Sequence, residues 1–198
     1  SRDLLHFTPV KKLSKRDRSV NLSSPGNVLK VGDEYILCCQ TYCRENGEKY
    51  GNANSRVFII RSRDLVNWSE PELLRVKGDS VSRAEMGRMI DPYLIEDAKM
   101  PGQYWCFLKQ NGVSFARSRD LVHWEFCGHT ESGENVCILP VDGRYHLWHS
   151  PKNGIGELVS DDLIHWEDTG KLITLGQKNW PWAQGRLTAA VMLDLRHE

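Results

Sequence analysis

Apolar residues come in short runs, each closed off by turn-forming residues. Residues 28–31 and 35–39 flank the pair Gly32-Asp33, which predicts a hairpin. A polar loop over 44–55 leads to a third run at 56–60 and a fourth at 71–76. The order then recurs. Runs at 89–95, 104–108, 114–116 and 124–127 form a second round, and 135–139, 145–149, 156–159 and 170–173 a third. A last run, 187–193, is expected to open a further round as its first strand. The runs lack helical periodicity. Four short antiparallel strands per round is the pattern of a propeller blade. The expected fold class is therefore all-β, a β-propeller of four-stranded antiparallel blades with about four blades' worth of strand.

A repeated phrase measures out the rounds. Ser1-Arg2-Asp3-Leu4-Leu5-His6-Phe7 returns as Ser62-Arg63-Asp64-Leu65-Val66-Asn67-Trp68, as Ser118-Arg119-Asp120-Leu121-Val122-His123-Trp124, and as Ser160-Asp161-Asp162-Leu163-Ile164-His165-Trp166. Ser and Asp two positions apart bond nearby backbone N–H groups and fix a tight turn. The Leu and the aromatic are apolar on a polar turn, so they are expected to plug beneath it. The phrase is read as a structural corner, and its Asp residues are not candidates for catalysis. Counting from it divides a single domain, 1–198, into the end of one blade (1–18), three full blades (19–80, 81–128 and 129–175) and the start of another (176–198). The first strands of blades surround the central axis. Segments around Ser24, Asp91, Glu134 and Arg186 should therefore converge on one central pocket.

Composition narrows the partners. The 26 basic and 26 acidic residues cancel, which argues against nucleic acid or a membrane surface. No apolar run approaches a membrane span, and no leader peptide is visible, so the compartment stays open between cytoplasmic and exported. Cys38, Cys39, Cys43, Cys106, Cys127 and Cys137 include no Cys-x-x-Cys pair. Zinc or thioredoxin-like chemistry is poorly supported, and the thiols are read as small core residues, with disulfides the alternative. No metal cluster is evident. An oligomer is compatible with the composition.

Two short segments carry a family resemblance. Met89-Ile90-Asp91-Pro92-Tyr93 and Gly133-Glu134-Asn135-Val136, set between the Ser-x-Asp-Leu-x-x-Trp corners, resemble the five-bladed β-propeller glycosidases. Glycoside hydrolase family 43 is the nearest pattern, with relatives in family 32. The likeness covers most of the chain as pattern rather than close identity. It implies hydrolysis of arabinoside, xyloside or fructoside bonds in plant-type oligosaccharides or polysaccharides. That family uses a base Asp, an Asp in an Ile-Asp-Pro context that tunes the acid, and a Glu general acid. The resemblance makes Asp91 the tuning residue and Glu134 the acid, although the family more often has Gly-Pro after the Glu. It aligns Ser24-Pro25-Gly26-Asn27-Val28 with the second blade and places 182–189 at the start of the fifth. In this register the base would lie upstream of Ser1, and no Asp stands at 24–27 to replace it. No cofactor is implied beyond the structural Ca²⁺ that some relatives hold at the propeller centre.

Glycoside hydrolysis needs one protonated carboxyl group and one ionised, and a wide separation gives inversion. An ionised Asp91 close to Glu134 would raise the neighbour's pKa and keep it an acid. Glu131 is the rival for that role. Trp180, Trp182, Arg186 and His149 are candidates for binding substrate by stacking and hydrogen bonding. Core packing, a salt bridge and a structural imidazole are their alternatives. A non-catalytic carbohydrate-binding or inactive propeller, and a scaffold whose central face binds protein, are the competing functions.

Overall fold

The computed structural model describes residues 1–3, 5–10, 13, 22–23, 26–174, 180–182, 187–188 and 191–196. Within them the chain forms three antiparallel sheets and no helix. In the first sheet, β1 (Leu22–Ser23) and β2 (Val28–Val31) lie along one edge of β3 (Glu34–Thr41), followed by β4 (Val57–Ser62) and β5 (Glu72–Leu73). The second runs β6 (Ile90–Glu96), β7 (Tyr104–Lys109), β8 (Val113–Ser118) and β9 (Glu125–Thr130). The third runs β10 (Glu134–Val141), β11 (Arg144–Ser150), β12 (Ile155–Ser160) and β13 (Glu167–Ile173). The protein is an all-β propeller of four-stranded antiparallel blades. The strand expected over 187–193 is absent among its described residues. This stretch meets β10 through isolated bonds, and a strand requires a ladder.

Each blade is held by its corner. Ser62 Oγ accepts the N–H groups of Asp64 and Leu65, and Asp64 Oδ1 accepts those of Val66 and Asn67. Ser118 with Asp120, and Ser160 with Asp162, repeat the same four bonds. The Asn67 N–H groups and the His123 ring hold the Asp64 and Asp120 carboxyls well below the usual carboxylate range. Leu65, Leu121 and Leu163 sit at φ of 61°, 61° and 65°. A left-handed Leu costs about 1–2 kcal/mol, so the turn persists because its neighbours hold it there.

Alternation sends one face of each sheet toward the next. Ile36, Cys38 and Ile59 of the first blade pack with Leu94, Cys106, Leu108 and Ala116 of the second. Trp105, Phe107 and Phe115 pack with Val136, Ile138, Tyr145 and Leu147 of the third. Asp97, buried at the end of the β6 strand, ties the same two blades. It accepts hydrogen bonds from Tyr145 Oη, from Trp105 Nε1 and from the Lys99 N–H. Burial works to raise this carboxyl, but those donors outweigh it and hold it low. The six cysteines are all free thiols, most of them inside these layers. The expectation of small core residues therefore describes them.

The corner leucines differ in burial, which separates packing from turn geometry. Leu163 is 0% exposed and Leu65 48%. Leu163→Ala should lower unfolding stability by about 2–5 kcal/mol, and Leu65→Ala by less than about 1 kcal/mol. Urea denaturation measures both. Equal losses would show that the leucine serves the turn rather than the core.

Candidate functional site

The inner strands β6 and β10 each begin with a bulge. Ile90 faces Lys109 and Tyr93 faces Phe107, so Asp91 and Pro92 together oppose one residue, Leu108. Glu134 faces Ser150 and Cys137 faces Trp148, so Asn135 and Val136 oppose His149. Asp91 and Asn135 take φ of 53° and 55°. Asp and Asn tolerate this left-handed conformation better than other side-chain-bearing residues. Bulges re-aim side chains, and strained positions of this kind concentrate at functional sites.

The register changes the expected pairing of the two carboxylates. Asp91 matches Asn135, and Glu134 matches Ile90. The carboxylates stand at the openings of adjacent inner strands, one residue out of step. Hydrogen bonds link the openings in series. The Asp91 N–H donates to the buried Gln40 Oε1. The Asn135 N–H donates in turn to the Asp91 carboxylate. Asn135 Nδ2 reaches Thr188 Oγ1 at 3.4 Å.

Burial dominates the electrostatics of Asp91. Burial pushes its carboxyl above the ordinary value, and Arg88, the Asn135 N–H and Lys109 pull it back without cancelling the rise. Burial therefore makes the Asp91 charge less favourable than that of an exposed carboxylate. Arg88 is itself anchored, its Nε donating to the Gly51 carbonyl at 2.6 Å.

His149 acts on the Glu134 segment rather than standing apart from it. Its Nδ1 accepts the Gly133 N–H at 2.8 Å. Burial lowers its pKa, and a neutral ring accepting at Nδ1 carries its proton on Nε2. Two glycines make this fit. A Cβ on Gly133 would lie 1.9 Å from the Ser150 carbonyl oxygen, and one on Gly156 would lie 2.6 Å from His149 Nε2. Glu131 is exposed on the link before β10. Trp180 and Trp182 stack on each other at 4.8 Å and 14°, exposed to 36% and 75%. Ser24, Pro25 and Arg186 lie outside the described residues. Among the described residues no group of three or more His, Cys, Asp or Glu forms a metal-ligand set.

Gln40, Lys109, Arg88 and Asn135 were not singled out from the sequence. A signal existed for two of them. Gln40 and Lys109 each stand five residues after the tyrosine that pairs with the corner serine, Tyr35 with Ser62 and Tyr104 with Ser118.

No protein-family model matches the sequence, and comparison with curated proteins gave no match. Solved structures do match. A family 117 glycoside hydrolase of the marine bacterium Zobellia galactanivorans superposes with a TM-score of 0.63 at 12% identity, covering 84% of this chain and 60% of that one. An α-L-arabinofuranosidase from Clostridium thermocellum gives 0.62 at 12% identity, covering 87% and 60%. A β-fructofuranosidase from Bombyx mori gives 0.57 at 18% identity, covering 79% and 38%. The chain spans about half the length of other glycoside hydrolase structures it matches, 51% in two cases. At such identities the likeness establishes the fold, the β-propeller that these glycoside hydrolases share with this chain.

The state of Asp91 is directly testable. A carboxyl whose folded pKa is raised contributes stability that is fully present below its unfolded value, about 3.9, and lost as pH rises through the folded value. Asp91→Asn keeps the acceptor and removes the charge. The variant should melt above the parent at pH 7 and together with it at pH 3, by differential scanning fluorimetry. A variant less stable at pH 7 would mean that Asp91 is ionised and stabilising.

Proposed function

We propose that this propeller acts on carbohydrate as a glycoside hydrolase, with Glu134 as general acid and Asp91 as the carboxyl beside it. One observation carries the reading. Matching bulges mark the openings of adjacent inner strands, where Glu134 begins one and Asp91 lies in the other among Arg88, Lys109, Gln40 and Asn135. His149 fixes the backbone just before the acid. The stacked Trp180 and Trp182 supply an aromatic face of the kind sugars pack against. Arabinosides, xylosides and fructosides are the proposed substrates, supported by the arabinofuranosidase and fructofuranosidase among the matched structures. An inverting route through an activated water follows the same analogy, with no residue of this chain assigned as base.

A second reading is that the site binds saccharide without cleaving it, since no residue of this chain is assigned as base.

A panel of nitrophenyl arabinofuranoside and xyloside, with a fructan oligosaccharide, tests both. Glu134→Gln should lower kcat/KM by about 10²–10⁴ and Asp91→Asn by less, shifting the pH profile. Turnover untouched by both substitutions would sink the assignment. Oligosaccharide binding by calorimetry with no turnover in the parent would establish the second reading instead.

A further inference from the structure

Three blades present the same corner, so one can be read against the others. In each, a tyrosine at the second strand pairs with the corner serine: Tyr35 with Ser62, Tyr104 with Ser118, Tyr145 with Ser160. The residue before that tyrosine is Glu34, Gln103 or Arg144. The residue after the serine is Arg63, Arg119 or Asp161. In the first blade these are a charge pair, Glu34 facing Arg63 at 3.7 Å and Arg61 at 3.6 Å. In the third the signs are reversed and the pairing is kept, Arg144 meeting Asp161 at 3.1 Å and Glu167 at 3.5 Å.

The second blade breaks the rule. Its counter-charge is replaced by the neutral Gln103. Arg117 is taken up by Glu125 at 2.8 Å, which leaves Arg119 without an ionic partner among the described residues. Gln103 is 5% exposed, and its side-chain amide has no hydrogen-bond partner among them. Both residues line a cavity of about 520 Å³ with Met100, His123, Trp124 and two carboxylates that are already paired, Asp120 with the His123 ring and Glu125 with Arg117. A third departure sits in the same wall. Trp68 and Trp166 donate their indole N–H groups to the Leu65 and Leu163 carbonyls, whereas the Trp124 N–H is buried with no partner among the described residues.

The buried, unpartnered Trp124 N–H is costly unless something completes it, and Arg119 stands exposed in the same wall without a counter-charge among the described residues. We propose that this corner pocket binds a small organic anion, its carboxylate or phosphate held by Arg119 and Gln103. Arg is suited to planar, bidentate recognition of either group, and the volume is that of a ligand pocket. The proposal is independent of the glycosidase reading. Gln103 precedes β7 and Lys109 ends it, so the strand's length, about 20 Å, separates this pocket from Asp91.

The test is calorimetric titration of the chain with galacturonate, inorganic phosphate and neutral galactose. Galacturonate or phosphate should bind, more weakly as salt rises, and galactose should not. Whichever anion binds names the carboxylate or the phosphate as the recognised group. Arg119→Gln should weaken binding by about tenfold or more. Gln103→Glu installs the counter-charge that the first blade carries natively, so it should abolish binding while the fold is kept, checked by circular dichroism. Neither anion binding, equal binding of galactose, or affinity unchanged in folded Gln103→Glu would overturn the proposal.

Discussion

Among the described residues adjacent blades share no β-ladder, so the height at which one inner strand sits against the next must be set by side chains. One position per blade does this. Asn27 pairs its amide with both backbone groups of Leu94, at 2.8 Å and 2.7 Å. Tyr93 Oη accepts the Ile138 N–H. Cys137 Sγ accepts the Met192 N–H at 3.3 Å. Three chemistries, an amide, a phenol and a thiol, fill one role at matching places in the register. Buried backbone donors must find partners, and these side chains provide them where no strand can.

The bulges at the strand openings follow from the same constraint. With the register pinned at Tyr93 and Cys137, the extra residue in each inner strand is absorbed toward its start, where Asp91 and Asn135 turn into the left-handed region. The series Gln40 to Asp91 to Asn135 then carries the contact between blades at the opening. The outer end of each blade has a different economy of charge. There the Ser-Asp corner saturates its own N–H groups, and a charge pair closes the surface beside it in two blades but not in the second.

Much of this was legible in the sequence because the signals are local. The corner phrase announces its hydrogen bonds, and the hairpin at Gly32-Asp33 forms where turn chemistry placed it, pairing Val31 with Glu34. The candidate site was legible by position only. Asp91 and Glu134 do open successive inner strands, but the spacing of apolar residues does not reveal a bulge, and the bulge makes Asn135 rather than Glu134 the partner of Asp91. The upward shift of the Asp91 carboxyl was equally hidden, because burial depends on how neighbouring blades close over it. Gln103 carries no signal of its own in the sequence. Its meaning appears only when the structure aligns it with Glu34 and Arg144.

The central claim is that the two bulged openings form a saccharide site. Crystals of the chain soaked with arabino-, xylo- and fructo-oligosaccharides test it most directly. A sugar ring within hydrogen-bonding distance of both Asp91 and Glu134 is the predicted result. Oligosaccharide bound elsewhere on the propeller, with that opening empty at saturating concentration, would contradict it.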